Sequence, residues 1–139
     1  EYNLTCLCEI DKTLRKLPIC ITEAYKNYPQ LLDGYVLIVN LSNKREKNPK
    51  KLLEKDFRET EDIIQEIKEV NNQIKWIWVA FGIDRNIMYN QKQKVLLSLE
   101  SGELFKDKLV GIHCTHPNAL YFDEHESHCE IINEIRNKL

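Results

Sequence analysis

A chain of 139 residues has room for one domain with its own apolar core. Hydrophobic residues make up 42% and charged residues 30%, the balance of a folded globular chain rather than a disordered one. A net charge of -2 removes the electrostatic case for nucleic acid or an anionic membrane surface, and no apolar run approaches the ~20 residues of a membrane span.

The first apolar run, Leu4–Cys8, reads as a strand. A mixed segment, Asp11–Tyr28, follows; Pro18 breaks it and Pro29 closes it. The turn signal Asp33-Gly34 opens a second strand, Tyr35–Leu41, whose lack of alternation predicts burial on both faces. Asn43–Lys51 is a polar, basic loop, most simply a solvated one. Asp56–Val70 is the clearest helix: Asp56 and Glu59 have capping-box spacing, and Ile63, Ile64, Ile67 and Val70 share one face. Asn71-Asn72 ends it, and Ile74–Gly82 reads as the third strand. Asn90 caps a second helix with an apolar face of Val95, Leu96 and Leu99, stopped by Gly102. Leu109–Ile112 is the fourth strand. The last helix spans about Asp123–Lys138, with Ile131, Ile132 and Ile135 inward.

Strands alternating with helices predict a single α/β domain, residues 1–139, of about four βα units around a parallel sheet. Both a doubly wound sheet and half of a (β/α)8 barrel satisfy this order. In either, chemistry belongs at the carboxyl ends of the strands: Cys8-Glu9, Asn40–Asn43, Phe81–Arg85 and His113–Asn118.

The compartment is less defined. Five cysteines leave one unpaired within the chain, or all five as thiols inside a cell. Two glycosylation sequons, at Asn3 and Asn40, lean toward a secreted protein, although roughly one is expected by chance.

The fourth strand end has the most unusual chemistry. All four histidines lie between His113 and His128, with Cys114 and Cys129 among them. These are zinc-ligand types, but the spacing matches no known ligand set, and no metal or other cofactor is expected. Leu109-Val-Gly-Ile-His-Cys-Thr-His116 resembles the phosphate loop of cysteine phosphatases, in which a thiolate attacks phosphorus. That loop carries an Arg six residues after the Cys; here Leu120 stands there, and Pro117 replaces a glycine. Without the Arg, the bidentate phosphate clamp is missing.

The most extensive resemblance is to glycoside hydrolase family 18, the chitinases and chitinase-like proteins. Asn3-Leu-Thr-Cys6 resembles that family's first strand, and Gly34–Asn40 its second. Lys68–Gly82 is similar to its passage from helix to third strand. Asn90–Asp107 and Asp123–Leu139 resemble the helices on either side of its fourth strand. The resemblance implies the first half of a (β/α)8 barrel. The family's catalytic run is Asp-Gly-x-Asp-x-Asp-x-Glu, and Val110–Pro117 stands there. Pro117 takes the place of the proton donor and Thr115 that of its partner carboxylate. No acid catalysis of that kind is then expected. The family's tie between its first two strands implies a disulfide from Cys6 or Cys8 to Cys20. Cys114 with Cys129 is the other candidate bridge.

These readings lead to one expectation: a secreted, non-catalytic chitinase-like protein, and not an enzyme. Its partner is a chito-oligosaccharide or other glycan, a protein, or a second copy of the chain; nucleic acid and membrane are not expected. Candidate ligand contacts are Asn40, Trp78, Asp84, Arg85, His113, Thr115 and His116. Trp76 and Trp78 share a strand face, where aromatic residues more often pack than bind sugar. The alternative is an intracellular α/β protein related to cysteine phosphatases, with an inactive or metal-occupied Cys/His site.

Overall fold

The computed structural model describes residues 12–44, 51–81, 89–111 and 126–139. Among the described residues there are four α-helices and one two-stranded parallel sheet, joined by short 3-10 turns: α1 Lys12–Ala24, α2 Thr60–Glu69, β1 Ile77–Trp78, α3 Tyr89–Ser101, β2 Leu109–Val110 and α4 Glu126–Arg136. Ile77 pairs with Leu109 and Trp78 with Val110, and the Val79 N–H donates to the Val110 carbonyl at 3.0 Å. The protein is therefore of mixed α/β class. The predicted first strand, Leu4–Cys8, lies outside the described residues.

Sheet alternation builds two cores. Ile77, Val79 and Leu109 face one side and meet Ile63 and Ile67 of α2, Val95 and Leu99 of α3, and Phe105. Trp76, Trp78 and Val110 face the other side, with Cys20, Ile21 and Ala24 of α1, Tyr25, and Ile131, Ile132 and Ile135 of α4. Successive strand residues point to opposite faces, so one short apolar pair serves both layers. Phe105, Ile63 and Ile135 are the largest side chains fully withdrawn from water. Each contributes about 1.5–3 kcal/mol by burial.

Hydrogen bonds fix the direction of the helices. Gln91 Nε2 at the start of α3 donates to the Arg58 carbonyl at 2.5 Å and to Thr60 Oγ1 at 3.3 Å, both at the start of α2. Lys108 Nζ, in the 3-10 turn that leads from α3 into β2, donates to the carbonyl and Oδ1 of Asn71, just beyond α2, at 2.9 and 3.0 Å. The two helices thus run side by side in the same direction. On the other face, Arg136 at the end of α4 donates to the carbonyls of Ala24 and Glu23 at the end of α1, at 3.3 and 2.8 Å.

The chain departs from its sequence reading at several elements. Of the predicted third strand, Ile74–Gly82, only Ile77–Trp78 is strand among the described residues. The run Tyr35–Leu41 is not a strand, and Tyr35, Val36, Leu37 and Ile38 are exposed rather than buried. Only Val39 and Leu41 turn into the α2/α3 core. The backbone at the end of the run is taken antiparallel instead. Arg58 N–H donates to the Leu41 carbonyl at 2.9 Å and Asn43 N–H to the Asp56 carbonyl at 2.8 Å, around a Ser42–Phe57 bridge.

Asp56 does not cap α2. It sits in the 3-10 turn Glu54–Asp56, where its Oδ2 accepts the Leu53 N–H at 2.9 Å, and α2 starts four residues later. Pro18 does not break the first helical segment; α1 runs through it, forgoing the backbone bond that a proline cannot donate. The predicted helices over 90–101 and 123–138 correspond to α3 and α4, but α3 already includes Tyr89, so Asn90 lies inside the helix rather than capping it.

Candidate functional site

Two parallel strands end at the same edge, and the helix that connects them must carry the chain back to the start of the second. α3 therefore begins at the carboxyl edge of β1 and β2. Because α2 starts beside α3, its first residues stand at that edge too. Arg58 Nη1 donates to the Asn40 carbonyl at 3.1 Å, which adds the end of the 35–41 run. The described rim of the carboxyl edge is thus Asn40–Asn43, Arg58–Thr60, Phe81, Tyr89–Lys92 and Gly111.

The rim is held by an ion pair and by neutral side-chain-to-backbone hydrogen bonds. Arg58 Nη2 meets Glu66 Oε2 at 2.6 Å, with both side chains partly shielded from solvent. Ser42 Oγ donates to the Asp56 carbonyl at 3.1 Å and accepts the Lys44 N–H at 3.0 Å. Lys92, on the first turn of α3, is 7% exposed.

Gly111 closes β2 with φ +65°, in the left-handed region that glycine occupies at little cost. A Cβ there would lie 2.7 Å from Trp78 Cδ1 and 2.9 Å from Ile131 Cδ1. Its N–H donates to Glu134 Oε2 of α4 at 2.5 Å, so α4 ties down the last described residue of the β2 end.

Of the candidate ligand residues, Asn40 stands exposed at this rim. Trp78 is half-buried, packed with the α1/α4 core and under Gly111. Asp84, Arg85, His113, Thr115 and His116 lie outside the described residues, as do Cys6, Cys8, Cys114 and Asn3. The Cys129 side chain also lies outside them, although α4 itself is described.

Cys20 is the one cysteine of the disulfide expectation whose side chain is described. It is a free thiol, 0% exposed, on the inner face of α1 against α4. Burial pushes the thiol up from 9.0 to about 11, so as a thiol it is a poor nucleophile. Cys6 and Cys8, the partners implied for it, lie outside the described residues. Among the described residues, no three His, Cys, Asp or Glu side chains gather closely enough to hold a metal ion.

The sequence reading missed Arg58, Glu66, Gln91 and Lys92. Lys92 left a legible signal: it lies three residues before Val95 and seven before Leu99, on the apolar face of α3. Arg58 left none, because its partners are 8, 18 and 33 residues away in the chain.

A family model described as "protein of unknown function (DUF1643)" matches residues 9–118, which spans the chain from before α1 to just beyond β2. No curated protein and no solved structure matches the chain.

Proposed function

The chain belongs to the DUF1643 family, and we propose that it is a binding protein that takes a small polar ligand at the carboxyl edge of its parallel strands. The observation that carries this reading is the parallel pairing of β1 and β2 with helices packed on both faces. Half of a (β/α)8 barrel would carry helices on one face and barrel-interior side chains on the other. Two helix layers support a doubly wound sheet instead, and in such sheets ligands sit in the crevice beyond the carboxyl ends. Asp84 and Arg85 follow β1 closely in the chain, and His113, Thr115 and His116 follow β2. In this reading they supply the polar contacts, and Asn40 flanks them.

No glycosidase chemistry is assigned. Thr115 and Pro117 stand where the resemblance to family 18 requires carboxyl groups, so no proton donor is supplied at that place. A glycan remains a ligand class to test, and secretion goes with it through the sequons at Asn3 and Asn40. The two helix layers favour a second ligand class. They suit the reading in which Gly111–His116 is a phosphate loop without its arginine, so that an oxyanion binds and no phosphoryl transfer follows.

Thermal unfolding of the full chain tests this, with chitotriose and with inorganic phosphate added separately. A ligand at 100 times its Kd stabilises by about 2.7 kcal/mol. One of the two should raise Tm, and the double variant Arg85→Ala, His113→Ala should abolish the rise. No rise with either ligand, or a rise that survives in the double variant, would overturn the reading.

A further inference from the structure

We propose that Arg58 is the positioning residue of the carboxyl-edge site: its side chain and the two peptide units that flank it lock three separate parts of the rim into a single arrangement. The inference rests on the reading of that edge as the binding site. Its guanidinium spans two partners, with Nη1 on the Asn40 carbonyl at 3.1 Å and Nη2 on Glu66 Oε2 at 2.6 Å. Its own N–H donates to the Leu41 carbonyl at 2.9 Å, and its own carbonyl accepts Gln91 Nε2 at 2.5 Å. The end of the 35–41 run, the body of α2 and the first turn of α3 therefore share one residue.

The geometry suits arginine and not lysine. A planar guanidinium offers separate donors in a fixed fork, whereas an ammonium is a single point of charge. Glu66 holds the fork in place by a charge-assisted bond, and the Asn40 side chain stays at the rim while its carbonyl is held. A ligand that touches Asn40 is thereby linked through Arg58 to Gln91, and a change at the start of α3 is felt at Asn40 by the same route.

Amide hydrogen exchange on the full, ligand-free chain tests this, with Arg58→Lys and Arg58→Met. The reporters are the amides of Asn43 and of position 58, with Val79 as an internal reference for global opening. The side-chain amide signals of Gln91 give a second reading. Arg58→Lys should restore most of the Tm lost in Arg58→Met, since it can keep the ion pair with Glu66. It should nonetheless leave the two reporter amides exchanging about 10-fold faster or more relative to Val79, with the Gln91 signals displaced. Unchanged reporter amides in both variants would overturn the proposal. So would equal acceleration at Val79, which would make Arg58 a plain stability residue, or full rescue of the exchange by lysine. No ligand is used, so failure here is distinct from failure of the binding reading.

Discussion

Gly111 shows how much one position can carry. Its φ of +65° costs an L-residue about 1–2 kcal/mol. A methyl group there would also press on Trp78 and Ile131, an overpacking penalty of about 1–3 kcal/mol. Gly111→Ala should therefore lower stability by about 2–5 kcal/mol in urea denaturation. A change below ~0.5 kcal/mol would mean that the turn over Trp78 is not as described. Cys20 gives a prediction with a pH sign. Folding raises its titration from 9.0 to about 11, so the folded state prefers the protonated thiol more strongly than the unfolded chain does. Its contribution is fully present below pH 9 and is lost as pH rises through 11, by up to ~3 kcal/mol in all. The difference in stability between the protein and Cys20→Ala should be flat from pH 6 to about 8.5 and then shrink. The sequence made Cys20 visible as a cysteine but not as a core residue. Its partners, Ile131 and Ile135 on α4, are far away in the chain, and a resemblance to a bridged family pointed it elsewhere.

At the scale of elements, helices were the most legible. Ile63 and Ile67, Val95 and Leu99, and Ile131 and Ile135 repeat at helical spacing, and all are buried as that spacing predicts. Boundaries were less so. Asp56 has the residue type and spacing of a cap, but a nearer donor, the Leu53 N–H, claims its carboxylate. The run Tyr35–Leu41 has the composition of a strand, yet composition does not supply a partner backbone. The partner found at its end is the antiparallel segment 56–58, held by Arg58 and Ser42. α1 offers the cleanest test at this scale. Pro18 is exposed in the helix interior, where it withholds a hydrogen bond and packs against little. Pro18→Ala should stabilise the protein by about 1–3 kcal/mol, read as a higher Tm. A lower Tm would show that the ring is needed where it stands.

For the whole molecule, the sequence limited the architecture to two forms and left the choice open. Periodicity says which face of a helix is apolar; it does not say which face of the sheet that helix covers. One local signal bears on it: Trp76, Ile77, Trp78 and Val79, in and beside β1, are apolar and at alternate positions pack into the two cores on either side of the strand pair. The candidate site was legible in part. The rule that parallel strands carry ligands at their carboxyl ends directs attention to that edge, and Asn40 is exposed there. Arg58 and Gln91 act through long-range contacts that no local pattern records. The central claim is that the binding edge lies where β1 and β2 end. Backbone amide NMR of the full chain, titrated separately with chitotriose and with inorganic phosphate, tests it most directly. The account predicts that the ligand that binds shifts Asn40–Asn43, Phe81, Tyr89–Lys92 and Gly111 and leaves Gln73, Lys75 and Lys108, at the opposite edge, unmoved. Shifts confined to those three residues, or none with either ligand, would contradict it.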